Sequence, residues 1–240
     1  MFRKLKQKLL KKNKIKSYLS YAIGEIVLIV IGILVAVSIN NRNTKKQQEK
    51  VINGIFAIII ADLKQDTTAT NKILNFYTER EPVFLKIAEN IFTKDEISAC
   101  ELCPYLITER RLLRINKRGF HQLNEYKDLT LNHKDSLIFD IVAFYNSLIN
   151  RIEPINDEIS KDIFENLVFW RDTYPWFASL TQGKLKKEDM GYFASQEYRN
   201  KVAYHYTLIY KNHLPAIRTF RRESEILLKK LNDRLDKNTE

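Results

Sequence analysis

The only compact pair of reactive side chains in the polar part of this 240-residue sequence is Cys100 and Cys103, separated by Glu101 and Leu102. A local disulfide between them suits a compartment outside the cytoplasm, where thiols become oxidised. A catalytic redox pair would need a thioredoxin-like strand-and-helix setting, and the surrounding sequence has no such pattern. The pattern therefore favours a disulfide, with two free buried thiols as the main alternative.

A zinc site and a histidine-based site are further alternatives. Zinc would need two ligands besides the cysteines, and the nearest candidates, His121 and His133, follow no usual finger spacing. His205 and His213 are about two helical turns apart, so one helix face can hold both. Packed or surface histidines are nevertheless several times commoner than metal ligands or catalytic bases, so we interpret all four as structural.

Other signatures of catalysis are lacking in the sequence. No serine or cysteine occupies a strand-to-helix elbow, and no glycine-rich phosphate loop is present. The adjacent acids Asp157-Glu158 and Glu188-Asp189 do not share a helix face and indicate solvated charge. We therefore predict no catalytic residue, no cofactor, no metal ligand and no enzymatic activity.

One apolar stretch, residues 18–41, divides the chain into the segments that carry these side chains and those that do not. From Ile26 to Ile39 every residue is apolar except one glycine and one serine. As a helix, the stretch from Tyr18 to Ile39 is roughly 33 Å long, enough to cross a hydrocarbon core of about 30 Å. We predict a basic cytoplasmic tail over 1–17, a transmembrane helix over 18–41 and an extracytoplasmic helical domain over 42–240.

The charges that flank the predicted span set its orientation. Residues 1–17 hold eight basic residues and no acid, whereas residues 40–50 hold four basic residues and one acid. This difference predicts a membrane protein with its N-terminus in the cytoplasm and its C-terminal domain in the periplasm or outside the cell. A cleaved signal peptide is the alternative, since Ala36-Val37-Ser38 has the small residues of a cleavage site; the long basic and apolar runs favour an uncleaved span.

Small residues recur along one face of the predicted span at multiples of four residues. They are Ser20, Gly24, Gly32 and Ala36. Because such a stripe lets helix backbones approach in lipid, we predict that Gly24, Gly32 and Ala36 pack in a homodimer. Glu25 lies near the cytoplasmic interface, where snorkelling toward the basic tail is the simpler interpretation and a functional buried acid the alternative.

A long motif runs through the span as Tyr21-Ala22-Ile23-Gly24-Glu25-Ile26-Val27-Leu28, then Ile31-Gly32-Ile33-Leu34, Ala36 and Ile39-Asn40. With it the sequence resembles a bacterial family of uncharacterised single-span proteins, catalogued as a domain of unknown function, that have a basic N-terminus and a helical C-terminal region. A looser match comprises Phe120, Leu123, Leu129 and Phe144-Tyr145, with Tyr126-Lys127 where the family has a Ser-Gly turn. The resemblance implies a cell-envelope membrane protein and no known activity.

The net charge of +11 is concentrated at the N-terminus. The first 17 residues hold 8 of the 40 basic residues, so the rest of the chain carries 32 basic and 29 acidic residues, a net charge of +3. Such a distribution argues against a nucleic-acid partner. It predicts contact between the tail and anionic lipid heads, in addition to the bilayer itself.

The scarcity of chain breakers, with 6 glycines and 5 prolines, favours helices with short loops. Apolar residues recur every three or four positions from Leu137 to Ile163, and Pro154 predicts a kink or break there. A last helix is predicted from near Ser195, interrupted at Pro215. We predict an all-α protein in which the span precedes an antiparallel helical bundle.

Four other segments carry structural expectations. Pro82 predicts a helix junction, residues 93–115 predict an irregular loop with short helical or extended pieces, and Asn116 predicts the cap of a short helix. The run Tyr174-Pro175-Trp176-Phe177 fits a buried plug between helices or an exposed recognition corner. The plug is favoured because aromatic residues dominate cores.

The sequence as a whole favours a non-enzymatic function. We interpret the chain as a membrane-tethered interaction or sensing module that binds an unidentified protein partner and associates with itself. The alternative is a cell-envelope enzyme or thiol redox partner that uses Cys100 and Cys103. A pocket joining those thiols to a histidine would favour the alternative.

Overall fold

The computed structural model of the protein describes residues 12–126 and 135–237. Helices dominate these two ranges and neither contains a strand, so the predicted all-α fold class is confirmed. The described α-helices are α1 (Lys12–Ala88), α2 (Lys94–Ser98), α3 (Arg118–Glu125), α4 (Ser136–Thr173), α5 (Phe177–Thr181), α6 (Gln196–Tyr206) and α7 (Leu214–Asp236). Two 3₁₀ helices (Cys103–Tyr105 and Lys187–Ala194) and a π-helix (Thr207–His213) complete them.

The chain divides into two compact units, Met1–Gly54 and Ile55–Glu240. In the first unit, the large apolar side chains of α1 from Ile23 to Ile39 are exposed; Leu28 is 71% exposed and Leu34 is 62% exposed. By length and composition, α1 is the one helix among the described residues that can cross a membrane. Side chains of this kind, left in contact with water, are a marker of a membrane or partner surface.

The helix α1 continues through Pro82, so the predicted junction there is wrong. Pro82 is exposed, which leaves water free to satisfy the carbonyl that loses its partner. The helix ends instead at a Schellman motif. Asn90 takes a left-handed conformation, with φ 58°, its N–H bonds to the carbonyl of Ile87, and the N–H of Ile91 bonds to the carbonyl of Lys86.

The helices α4 and α7 lie antiparallel in the second unit. Lys230 Nζ is 2.7 Å from Asp140 Oδ2, and Arg234 Nη2 is 3.0 Å from Asp135 Oδ2. Because both contacts join the beginning of α4 to the end of α7, the two chain directions must be opposite. Asp135 also caps α4 by accepting a hydrogen bond from the N–H of Leu137 at 3.0 Å.

Proline has different consequences in α4 and at the start of α7. Pro154 lies inside α4 on an exposed position, and α4 continues without a break. The predicted last helix does begin at Ser195, whose Oγ accepts from the N–H of Tyr198 at 3.1 Å. Its interruption is the π-helix Thr207–His213, immediately before Pro215. Proline cannot donate to the carbonyl one turn earlier, and a wider turn there accommodates the loss.

Aromatic rings fill much of the core of the second unit. The largest fully buried side chains include Trp170, Tyr77, Tyr145, Tyr198, Phe56, Phe84, Phe193 and Phe220. Rings of this size contribute large buried areas and pack in edge-to-face or offset geometries. They hold α1, α4, α6 and α7 in the positions that determine the polar sites.

Candidate functional site

Cys100 follows α2, Cys103 begins the next 3₁₀ helix, and their Sγ atoms form a disulfide with Cα atoms 5.4 Å apart. The N–H of Cys103 bonds to Cys100 Sγ at 3.1 Å, and the hydroxyl of Tyr198 donates to the carbonyl of Cys103. Cys103 is fully buried, whereas Cys100 is half-buried. Oxidation of the pair in the cell stays a prediction, which counting thiols with and without reductant tests.

An open cleft of about 370 Å³ lies beside Cys100. Glu101, Lys186 and Lys187 supply its charged groups, and no histidine lines it. Of the two histidines considered as zinc ligands, His121 is exposed on α3 and His133 lies outside the described residues. In the part of the chain that the structure describes, no three histidine, cysteine or acidic side chains are grouped to hold a metal ion.

A second polar cluster joins α4 to α6 inside the core. His205 Nδ1 lies 2.6 Å from Asp162 Oδ2, and both side chains are buried. Asn166 Nδ2 donates to the same carboxylate oxygen at 3.3 Å, and Lys201 Nζ donates to Asn166 Oδ1 at 3.0 Å. Within each helix, the two members are four residues apart and therefore share a face.

The His205–Asp162 pair has the composition of an acid–base dyad, but its surroundings are those of a core contact. The ring of His205 stacks on Phe84 with centroids 6.0 Å apart, and its Nε2 atom is buried without a hydrogen-bond partner. Neither His205 nor Asp162 lines any of the described clefts. General acid–base chemistry would require a substrate within hydrogen-bond reach of one of these side chains.

A third cluster ties α3 to α1 through Asp62. Its Oδ1 accepts from Arg118 Nε at 2.9 Å and from Arg118 Nη2 at 2.6 Å, while its Oδ2 accepts from the N–H of Gly119 at 3.0 Å. A Cβ atom added to Gly119 would lie 2.5 Å from Cγ1 and 2.8 Å from the backbone nitrogen of Ile59. The missing side chain therefore permits the close approach that these bonds require.

Asp66 lies one turn further along α1 and binds the segment before α3. Its Oδ1 accepts from Asn116 Nδ2 at 2.6 Å, and its Oδ2 accepts from the N–H of Asn116 at 3.0 Å. Burial raises the pKa of Asp66 to about 6, against the lowering effect of these bonds and with a smaller rise from Asp62. Since α3 is capped at Lys117 without a side-chain bond, the prediction that Asn116 caps it is wrong.

His213 ends the π-helix in a buried position next to the ring of Tyr77. Its Nε2 lies 3.3 Å from the carbonyl oxygen of Arg111, and its ring meets that of Tyr77 edge-on at 6.1 Å. Burial lowers the pKa of His213 to about 4, although the contact with Arg111 opposes the shift. The imidazole is therefore neutral at physiological pH.

The aromatic run at residues 174–177 joins a cluster of rings. Trp176 is only 8% exposed, stacks on Tyr174 with centroids 4.9 Å apart, and meets Trp170 at 5.7 Å. Pro175 is exposed at the turn. The packing of Trp176 matches the plug rather than the exposed recognition corner.

A groove of about 370 Å³ lies between α4 and α7. Phe144, Leu148 and Leu227 contribute apolar surface, whereas Arg151 and Glu223 contribute charge. Apolar surface bordered by charge is the usual composition of a protein interface. No sequence pattern predicts this groove, because it depends on how two distant helices pack.

The residues predicted to pack the span against a second copy of the helix lie on an uncovered surface in the first unit. Apart from the adjoining residues and the backbone of the helix itself, nothing lies within 4 Å of a Cβ atom built on Gly24 or Gly32, and Ala36 is exposed. Glu25 is exposed on the same helix. The predicted homodimer contact stays a prediction.

These features define a class: an all-helical protein in which one of the described helices is long and apolar enough to cross a membrane. Residues 25–103 match the model of a family of unknown function (DUF6090). The predicted resemblance to a family of unknown function is thereby confirmed, while the looser similarity around Phe120 and Phe144-Tyr145 lies beyond the matched residues. No curated protein and no solved structure matches the chain.

Proposed function

We propose that this chain is a single-span bacterial inner-membrane protein whose helical region acts, outside the cytoplasm, as a tethered interaction or sensing module without catalytic activity. The observation that carries the proposal is the exposure of the apolar side chains on α1 between residues 22 and 39. In water this surface is unfavourable by about 25 cal/mol for each Å². A bilayer removes that cost, and the length of the apolar segment suits one crossing.

The orientation rests on charge and is supported by the cysteines. The excess of basic residues before the span favours an N-terminus in the cytoplasm. A disulfide between Cys100 and Cys103 suits the oxidising side of the membrane. The two arguments are independent, and both favour a periplasmic or extracellular position for the helical region.

The non-catalytic part of the proposal rests on the buried histidines. His205 and His213 are both fully buried, and neither lines a described cleft. The groove between α4 and α7 is by contrast open and mixes apolar with charged side chains. This groove is the surface that we propose for a protein partner.

Two measurements on membranes from producing cells test the tether and its orientation. After alkaline carbonate washing, the full-length chain should stay with the vesicles, because a spanning helix is not removed by breaking ionic contacts. Alkaline phosphatase fused to the C-terminus should be active, since this reporter needs an oxidising compartment. Release of the chain by carbonate would refute the span, and an inactive phosphatase on a full-length, membrane-retained chain would refute the orientation.

The partner groove is tested by cross-linking from the same membranes. A photoreactive residue replacing Arg151, at the groove, should cross-link to a discrete partner. The matched control replaces Lys64, which is exposed on α1 outside the groove. Equal yields from both positions would show that the groove has no special role.

A thiol redox partner is the second candidate, because half-buried Cys100 lines an open cleft with two lysines. Lysines near a sulfur favour its thiolate form. If the candidate is right, the disulfide of the native protein should equilibrate with glutathione buffers within the range of catalytic disulfides. A disulfide that stays oxidised until the protein unfolds is structural, and that result would remove the candidate.

A further inference from the structure

A cleft of about 250 Å³ lies where the end of α1, the start of α2 and the start of α6 meet. Three cationic side chains line it, Lys86, Lys94 and Arg199, and none of its lining residues is a carboxylate. Asn90 and Ser195 add an amide and a hydroxyl group. A cleft lined by one sign of charge concentrates the electrostatic potential inside it and attracts ions of the opposite sign.

The three cations lack the ion pairs that neutralise comparable side chains elsewhere. The structure records no salt bridge for Lys86, Lys94 or Arg199 with any residue that it describes. Lys86 Nζ instead lies 5.3 Å from the ring centroid of Phe92, a contact that keeps its positive charge available. Three like charges around one cleft repel one another, and a bound anion relieves that repulsion.

One carboxylate close enough to interact with Lys86, that of Glu96, has another role. Its Oε2 atom accepts from the N–H of Thr93 at 2.7 Å and from the hydroxyl of Thr93 at 2.9 Å. These bonds lower the pKa of Glu96, with a weaker contribution from the charge of Lys86. Glu96 thus completes the capping box of α2 and does not line the cleft.

Packing fixes the positions from which the cations extend. Ile87, Ile97 and Phe193 also line the cleft, and all three side chains are buried. They join α1, α2 and the segment before α6 beneath the charged groups. Arg199 is itself half-buried and stands in the first turn of α6, where the helix dipole adds positive potential.

We propose that this cleft is a binding site for a phosphate-type anion, a phosphomonoester or diphosphate group. Three cations match a group with two or more negative charges better than they match a single carboxylate. The guanidinium of Arg199 suits the paired oxygens of phosphate, and the two lysines act as point charges. The volume is below that of drug-sized sites, which fits a small anionic group.

The phosphate group has two possible sources, a soluble compound or the headgroup of an anionic lipid. Both present the same oxygens to the cleft, so the chemistry of recognition is shared. The proposal does not depend on the tethered interaction function, because it rests on the cleft alone. If the membrane tests fail, the proposed binding site is unaffected. If the cleft binds no phosphate group, the proposed membrane tether is unaffected.

Calorimetric titration of the purified full-length chain in neutral detergent tests the site. One arm uses inorganic pyrophosphate, and the other uses short-chain phosphatidic acid below its micelle concentration. The test variant carries K86Q, K94Q and R199Q, and a second variant carries R199Q alone. The matched control carries K64Q, K72Q and R218Q, which removes the same number and types of charge from exposed positions outside the cleft.

We expect the wild-type chain to bind in at least one arm. The triple cleft variant should weaken that binding at least about tenfold, the R199Q variant by a smaller factor, and the control by less than about threefold. Cleft-dependent binding of pyrophosphate identifies a soluble source, and cleft-dependent binding of phosphatidic acid alone identifies a lipid. Equal weakening by the cleft and control variants, or no binding in either arm, overturns the proposal. Unchanged helical circular dichroism verifies that each variant is folded.

Discussion

Two buried ionisable side chains, Asp66 and His213, respond to pH in opposite directions. Folding raises the pKa of Asp66 from 3.8 to about 6 and lowers the pKa of His213 from 6.5 to about 4. Between about pH 4 and pH 6, the folded state therefore keeps a proton on Asp66 and excludes one from His213. The two side chains therefore change the stability in opposite directions as pH varies, and the changes cancel in part. Single substitutions are needed to separate them.

Replacing Asp66 with asparagine should remove the contribution that falls as pH rises. A group with a raised pKa in the folded state stabilises it below the unfolded pKa, and that stability is lost as pH rises through the folded value. Relative to wild type, the free energy of unfolding of D66N should thus gain up to about 3 kcal/mol between pH 4 and pH 6. Thermal melts of the full-length chain in detergent across this range measure it. D157N, at an exposed position, should follow wild type; a D66N profile parallel to wild type would contradict the prediction.

Replacing His213 with glutamine should have the opposite effect. The contribution of a histidine with a lowered pKa is complete above pH 6.5 and is lost as pH falls toward 4, because the unfolded chain then binds the proton more readily. The fall in stability between pH 7 and pH 4 should therefore be smaller in H213Q than in wild type, by up to about 3 kcal/mol. The same melts measure it, with H121Q as the control at an exposed histidine. An unchanged acid dependence in H213Q would rule out a buried neutral imidazole.

The contact between α1 and α3 depends on the absence of one side chain. In G119A, the added Cβ would meet the backbone nitrogen of Ile59, which cannot rotate away, so α3 must shift and strain the bonds to Asp62. We expect a loss of about 1–3 kcal/mol in the free energy of unfolding, the usual cost of overpacking. Denaturant melts measure this loss. The control G54A places the same methyl group in open space within α1 and should be neutral or stabilising by up to about 1 kcal/mol.

Single elements were more predictable from sequence than their contacts. Local signals in the sequence are sufficient to predict the apolar span, the periodic face of α4 and the start of α6 at Ser195. Periodicity says which face of a helix is buried but not which element covers it. The Asp62–Arg118 and Asp162–His205 contacts, 56 and 43 residues apart, therefore have no signature in the sequence.

A related reason explains why α1 has no junction at Pro82 and α4 has no break at Pro154. A proline removes one hydrogen bond and crowds one carbonyl, and both effects are local. At the exposed positions Pro82 and Pro154, water and the packing of the opposite face offset the loss, so both helices continue. Tertiary packing thus outweighs a local breaker. The sequence also does not predict the cleft proposed to bind a phosphate-type anion, because its three cations come from three separate elements.

At the scale of the whole molecule, charge is distributed unevenly along the chain. The tail of 17 residues holds eight basic residues, and the segment after the span holds four. The sign of this difference, rather than the net charge of +11, governs the proposed orientation. The remaining chain is nearly balanced, so it contributes little to the asymmetry.

Equalising the two flanks should therefore disturb the orientation without altering the helical region. The variant replaces four tail lysines with glutamine: Lys4, Lys6, Lys8 and Lys11. It leaves four basic residues on each side, so the C-terminal phosphatase reporter should lose a large part of its activity as inverted chains accumulate. The control removes the same charge far from the span in the sequence, at Lys184, Lys186, Lys187 and Lys229. Because orientation depends on charges within about 20 residues of the span, reporter activity should then stay at the wild-type level. Full activity in the tail variant would mean that something other than the charge difference orients the chain.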